Sequence, residues 1–158
     1  APSGAMASEP AVTAISAFPP ENAVTAGNAE NDGSTVDLVQ LAWARSGDKG
    51  HLFNVAVIAR QPAFLPHLRA ALTPEAVSGW YGHLGHGGQP PRVERYDVPG
   101  LHALNFVIHD ALEGGINAST RLDPAAKGMA QMLLRFPVGV SAAVRAQLPP
   151  SDRTSERQ

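Results

Sequence analysis

Between two short apolar runs the chain carries Ala44-Arg45-Ser46-Gly47-Asp48-Lys49-Gly50, and no other stretch constrains its fold as much. The flanking runs, 38–44 and 54–59, have the length and β-branched content of strands, with glycine or proline near their ends. Residues 46–53 therefore read as the loop joining strand to strand. Arg45, Ser46, Asp48 and Lys49 bring two cations, a hydroxyl and a carboxylate together, while Gly47 and Gly50 let backbone approach a ligand closely. Such a turn can aim successive N–H groups at an anion, with Arg45 and Lys49 adding charge. It does not match the phosphate-binding pattern G-x-x-x-x-G-K-[ST]. The plain alternative is a hairpin turn in which Asp48 pairs locally with Lys49 or Arg45.

The 158 residues, 44% apolar and 16% charged, are enough for one domain with one core. A formal charge of -2 gives no basic footprint for a phosphodiester backbone, so no nucleic-acid partner is expected. The absence of cysteine excludes disulfides, thiolate metal sites and a cysteine nucleophile. No apolar run approaches the ~20 residues that span a bilayer, and the first thirty residues lack the basic start of a secretory signal. The expectation is a soluble, cytoplasmic protein with no membrane partner. Residues 1–36 are Ala-, Pro-, Ser- and Asn-rich, with acids but no Lys or Arg, and read as a disordered segment. The folded domain is expected over 37–140 and a loose C-terminal tail over 141–158.

Within the domain, Phe64, Leu65, Leu68, Ala71 and Leu72 recur at helical spacing, and Thr73-Pro74-Glu75 starts a second helix carrying Trp80. Residues 82–91 form a glycine- and proline-rich loop. A third strand over 92–98 lacks a clean apolar face and is expected at an edge. Leu101, Leu104, Ile108 and Leu112 predict a helix that Gly114-Gly115 stops. A strand over 116–122 follows, and Asp123-Pro124 then opens a last helix whose Met129, Met132, Leu133 and Phe136 face the core. Residues 137–140 add a short final strand. The order β-β-α-α-β-α-β-α-β predicts an α+β sandwich, one sheet with helices packed on one face.

Candidate site residues surround the first loop. Asn54 opens the second strand and can brace that loop. Asn105, in an otherwise apolar segment, must find a partner or solvent. Arg121 and Asp123 bracket a predicted strand end, where Asp123 reads first as a helix N-cap. Lys127 can pair with Asp123 at i,i+4 or reach toward the loop. His51, beside the loop, and Asp48 are the candidate proton-transfer groups. His83 and His86 lie three apart and His102 and His109 seven apart, without the two-His-plus-carboxylate spacing of a zinc site. No metal and no cofactor is expected.

Taken in order, the segment 44–50 with Asn54-Val55-Ala56-Val57-Ile58-Ala59-Arg60, Tyr96-Asp97-Val98-Pro99 with 101–107, Gly114-Gly115, Arg121-Leu122-Asp123 and Lys127-Gly128 resembles the C-terminal domain of the acyclic terpene utilisation protein AtuA. The resemblance spans about 41–136. It implies a ferredoxin-like fold, with one mostly antiparallel sheet. It also implies a context: work beside a larger AtuA-type or acyl-CoA carboxylase partner in terpenoid or branched acyl-CoA breakdown. The motif positions it carries over are Arg45, Ser46, Gly47, Asp48, Lys49, Gly50, Asn54, Asn105, Arg121, Asp123 and Lys127. The chain departs from the pattern at Pro124-Ala125-Ala126, where a polar residue and a glycine would precede the lysine, and at the more apolar His51-Leu52-Phe53. Three functions follow as expectations. One is a partner subunit whose loop forms an interface or a pocket for an anionic CoA thioester. Another is a stand-alone hydratase, hydrolase or lyase, with Asp48 or His51 moving protons and Arg45, Lys49 and Arg121 holding anionic groups. The third is a homo-oligomeric structural module.

Overall fold

The computed structural model describes residues 33–149. Four antiparallel strands form the main sheet: β2 (Ala42–Lys49), β3 (Leu52–Ala59), β4 (Val93–Val98) and β5 (Ala103–Ile108), in the order β2-β3-β5-β4. A second antiparallel pair joins β1 (Thr35–Asp37) to β6 (Pro137–Gly139). The helices are α1 (Leu38–Leu41), α2 (Leu65–Ala71), α3 (Pro74–Trp80), α4 (Met129–Leu133) and α5 (Ala142–Gln147). The α+β class and the single mostly antiparallel main sheet are as the sequence predicts.

Side chains alternate across a strand, so the register divides the main sheet into two faces. Ala42, Val55, Val57, Leu104, Phe106 and Ile108 fall on one face, and all are fully buried. They share a core with Leu68 and Leu72 at the end of α2, Val77 of α3 and Leu133 of α4. Burying each of these valine, leucine, isoleucine and phenylalanine side chains stabilises the fold by roughly 1.5–3 kcal/mol. Tyr81 closes the core beneath the sheet: its ring meets Phe53 edge-on at 5.3 Å, and its hydroxyl donates to the Met129 carbonyl at 2.7 Å. Burial pushes that phenol's pKa up. The opposite face carries Trp43, Ile58 and Tyr96, which are all exposed.

Several elements differ from expectation. Residues 38–41 form one helical turn instead of the start of a strand, because Leu38 and Leu41 both turn inward while the Leu38 and Val39 amides donate to Phe136 and Leu134 carbonyls. The predicted loop over 46–53 is almost entirely strand, with only Gly50 and His51 in the turn. Gly50 has φ +76°, as the first position of a II′ hairpin turn requires. The predicted helix over 101–112 is strand β5. The 101/104/108/112 spacing exists in the sequence, but Leu101 is 63% exposed, and the two-residue alternation of Leu104, Phe106 and Ile108 is the pattern that the slot between two strands satisfies. No strand forms over 116–122, and α4 begins at Met129 instead of after Asp123. Met132, expected in the core, is partly exposed. Strand β6 matches expectation but pairs with β1 outside the main sheet. Residues 141–147, part of the expected tail, form α5 with its Ser141 cap and buried Val144. Most of the expected N-terminal disordered segment, and the tail beyond 149, lie outside the described residues.

Candidate functional site: a cationic cleft on the uncovered sheet face

The β2–β3 register sorts the motif by parity. Ser46 and Asp48 pair with Val55 and Phe53, residues of the buried face, while Arg45, Gly47 and Lys49 pair with Ala56, Asn54 and Leu52 of the uncovered face. Five consecutive residues thus serve two different surfaces.

Ser46 belongs to the fold. It is buried, donates to the Ala126 carbonyl at 2.5 Å and accepts from the Ala130 amide at 2.9 Å. The second bond satisfies one of the amides left without a partner in the first turn of α4, so a strand serine caps that helix from across the sheet edge. The Asp48 amide donates to the Ala125 carbonyl at 3.1 Å, fastening the same segment along β2. Asp123 holds the segment from inside: its two carboxylate oxygens accept from the Lys127 and Gly128 amides at 2.9 and 2.7 Å. Asp123 thus caps a tight turn and not the first turn of a helix beginning at Pro124. Ala126 takes φ +53°, a conformation a glycine there would adopt without a Cβ penalty.

This docking lays Lys127 over the rim of the sheet. Its Nζ stands 3.3 Å from where a side chain on Gly47 would begin. A cleft of about 230 Å³ results, lined by Arg45, Ser46, Gly47 and Lys49 of β2, Asn54 and Ala56 of β3, and Lys127. The Asn54 amide donates to Asn105 Oδ1 at 3.1 Å, which leaves the Asn105 amide group and the Asn54 carbonyl for other partners. Lys49 reaches only the Asp48 carbonyl, at 3.1 Å. Among the described residues the Arg45 and Lys127 side chains have no ion-pair partner, and no carboxylate lines the cleft. Like charges that share one small cleft repel one another. An anion between them would reverse that sign.

Glu94, an acid on the same face, is already engaged. Glu94 accepts from Tyr96 Oη at 2.5 Å and pairs with Arg92. The Tyr96 and Arg92 hydrogen bonds hold its carboxyl below the usual range, and Glu94 in turn raises the Tyr96 phenol.

The remaining candidates stand elsewhere. His51 occupies the hairpin turn, with Nε2 3.6 Å from Asp110 Oδ1 and its carbonyl accepting the Leu112 amide. Arg121 donates to the Leu84 carbonyl and to Glu113 at 3.1 and 3.2 Å, and Glu113 also meets His86 Nδ1 at 3.4 Å. That second cluster ties the loop after β5 to the turn after α3. Neither Asp48, His51 nor Arg121 lines the cleft, whereas Arg45, Lys49, Asn54 and Lys127 do. Sequence reasoning missed the uncovered face itself, with Trp43 and Tyr96 on it. The alternation Arg45-x-Gly47-x-Lys49 was the signal, since cations two apart along a strand share a side.

The family model of the AtuA ferredoxin-like domain matches residues 36–139, from β1 through β6. The chain belongs to the AtuA ferredoxin-like domain family. No curated protein and no solved structure matches it. In this AtuA ferredoxin-like domain the family segment covers the whole main sheet and every residue of the cationic cleft. No helix among the described residues is long and apolar enough to cross a membrane.

Proposed function

We propose that this AtuA ferredoxin-like domain is a binding subunit for an anionic ligand of the CoA-thioester class. In this reading it works beside a larger AtuA-type or carboxylase partner in terpenoid or branched acyl-CoA catabolism. One observation carries the binding role: Arg45, Lys49 and Lys127 converge around a glycine with no carboxylate among them. Guanidinium and ammonium groups of this kind recognise phosphate and carboxylate oxygens, Arg by its planar fork and Lys as a point charge. Among the described residues the lining holds no imidazole or carboxylate, and its three cations are suited to holding an anion. The family resemblance supplies the acyl-CoA context and the larger partner.

Isothermal titration with CoA, acetyl-CoA and inorganic pyrophosphate tests the reading. Arg45→Ala and Lys127→Ala are each expected to weaken binding at least tenfold while shifting the unfolding midpoint little, because both side chains are solvent-facing and unpaired. Gly47→Ala, whose new methyl would displace the Lys127 ammonium, should weaken binding severalfold. Arg145→Ala, on α5 and outside the cleft lining, should change nothing. Equal affinity in all four variants and the wild type, or no binding of any of the three ligands, ends this reading.

A further inference from the structure

The row of side chains next to the cleft has a different chemistry and no assigned role. Trp43 lies opposite Ile58, Ile58 opposite Ala103, and Ala103 opposite Val98, so one line of apolar residues crosses all four strands on the uncovered face. The adjoining row, two residues along each strand, runs Arg45, Ala56, Asn105 and Tyr96. The two rows are therefore about 7 Å apart, and the apolar line is about 14 Å from end to end. Trp43 is 52% exposed and Ile58 40%, whereas their chain neighbours Ala42 and Val57 are fully buried. Arg60 fixes the indole from one side: its Cζ lies 4.8 Å from the ring centroid while its Nε donates to the Val39 carbonyl at 2.9 Å.

We infer that the uncovered face holds one amphiphilic anion, with its charged group among Arg45, Lys49 and Lys127 and its apolar tail along the exposed Trp43 and Ile58 toward Val98, across the position where Ala103 is buried. The inference rests on the anion reading above and adds the tail site, for which Trp43 and Ile58 are the specificity-determining residues. Dimensions select a chain over a protein surface. A stripe one side chain wide and about 14 Å long covers on the order of 100 Å², far below the ~800 Å² per partner of a stable protein interface. Its continuity with the cleft selects a molecule that carries charge at one end. Net positive charge on this face also opposes a second copy of the same chain, which would set cations against cations.

The experiment is titration calorimetry of the full chain with pyrophosphate and with ethyl, butyl, hexyl and octyl phosphate, whose tails start directly at the anion, all below their micelle-forming concentrations. A fully buried methylene is worth about fourfold in affinity, and one half-covered on an open face about twofold. Wild-type affinity is expected to rise about twofold for each added methylene. Trp43→Ala and, independently, Ile58→Ser should flatten that rise while leaving pyrophosphate affinity within about twofold. Ile58→Ser serves if removal of the indole disturbs the fold. A flat series in the wild type with pyrophosphate still bound overturns the tail site and leaves the anion reading standing. So does a rise that survives in both variants. Failure of every probe, pyrophosphate included, removes both.

Discussion

The two faces of the four-stranded sheet are built from the same strands yet obey different rules. On the covered face Phe53, Val55, Val57, Leu104, Phe106 and Ile108 are fully buried, and Ser46, the one buried polar side chain among the described residues, both donates and accepts a hydrogen bond. On the uncovered face, among the described residues, Arg45 and Lys127 have no carboxylate partner, and the Trp43 indole is half exposed. A polar group on the first face has to be satisfied or it costs stability; on the second it can wait for a ligand. The contrast is sharpest within β2, where Ser46 belongs to the fold and its neighbours Arg45 and Gly47 to the cleft. A contiguous motif is therefore no guide to a contiguous role.

Substitutions on the covered side should break the fold before they touch binding. Ser46→Ala leaves the Ala126 carbonyl and the Ala130 amide buried and unpaired, so a loss of about 1–3 kcal/mol is expected in urea unfolding. A loss below 0.5 kcal/mol would mean that Ser46 and Arg45 are not separated as the register implies.

Asp123 joins the two faces, since its carboxylate orders the turn that carries Lys127. Asp123→Ala should cost about 1–2 kcal/mol, as lost helix caps do, and should also weaken anion binding severalfold. Asp123→Asn, which keeps one acceptor oxygen, should fall between. A stability loss with unchanged affinity would show that Lys127 reaches the cleft without this clamp.

The smallest effect lies away from both surfaces, at His83. Burial first, and the Arg121 guanidinium second, lower its pKa below 6.5. The folded chain therefore resists a proton that the unfolded chain accepts, and this histidine subtracts stability as pH falls from about 6.5 toward its lower folded value. Arg121→Gln should raise the His83 pKa in an NMR titration and flatten that part of the acid limb, by less than about 1 kcal/mol. An unmoved titration would separate Arg121 from His83. Cleft affinity should not respond, because Arg121 is outside the cleft lining.

Much of the fold was legible because local signals agreed with it. The Thr73-Pro74 start of α3 appears with Thr73 accepting the Ala76 amide at 3.2 Å, β4 is the edge strand expected from its mixed faces, and β3 and β6 lie close to where their composition places them. Segment 103–108 was misread because six residues can satisfy a helical and a strand period at once. Segment 116–128 was misread because its cap and proline signals serve a docked loop.

The sequence by itself determined the fold class, the two strands on either side of the 44–50 motif, the α2–α3 pair and the family, since periodicity, turn chemistry and motif order are local properties of the chain. Tertiary structure alone decided that residues 103–108 fill the slot between β3 and β4 and that Lys127 joins Arg45 and Lys49. The reason is physical: a strand's place depends on neighbours that supply its hydrogen bonds and cover one of its faces, and a cation 78 positions beyond Lys49 reaches it only after a buried serine and an aspartate have fixed the path between them.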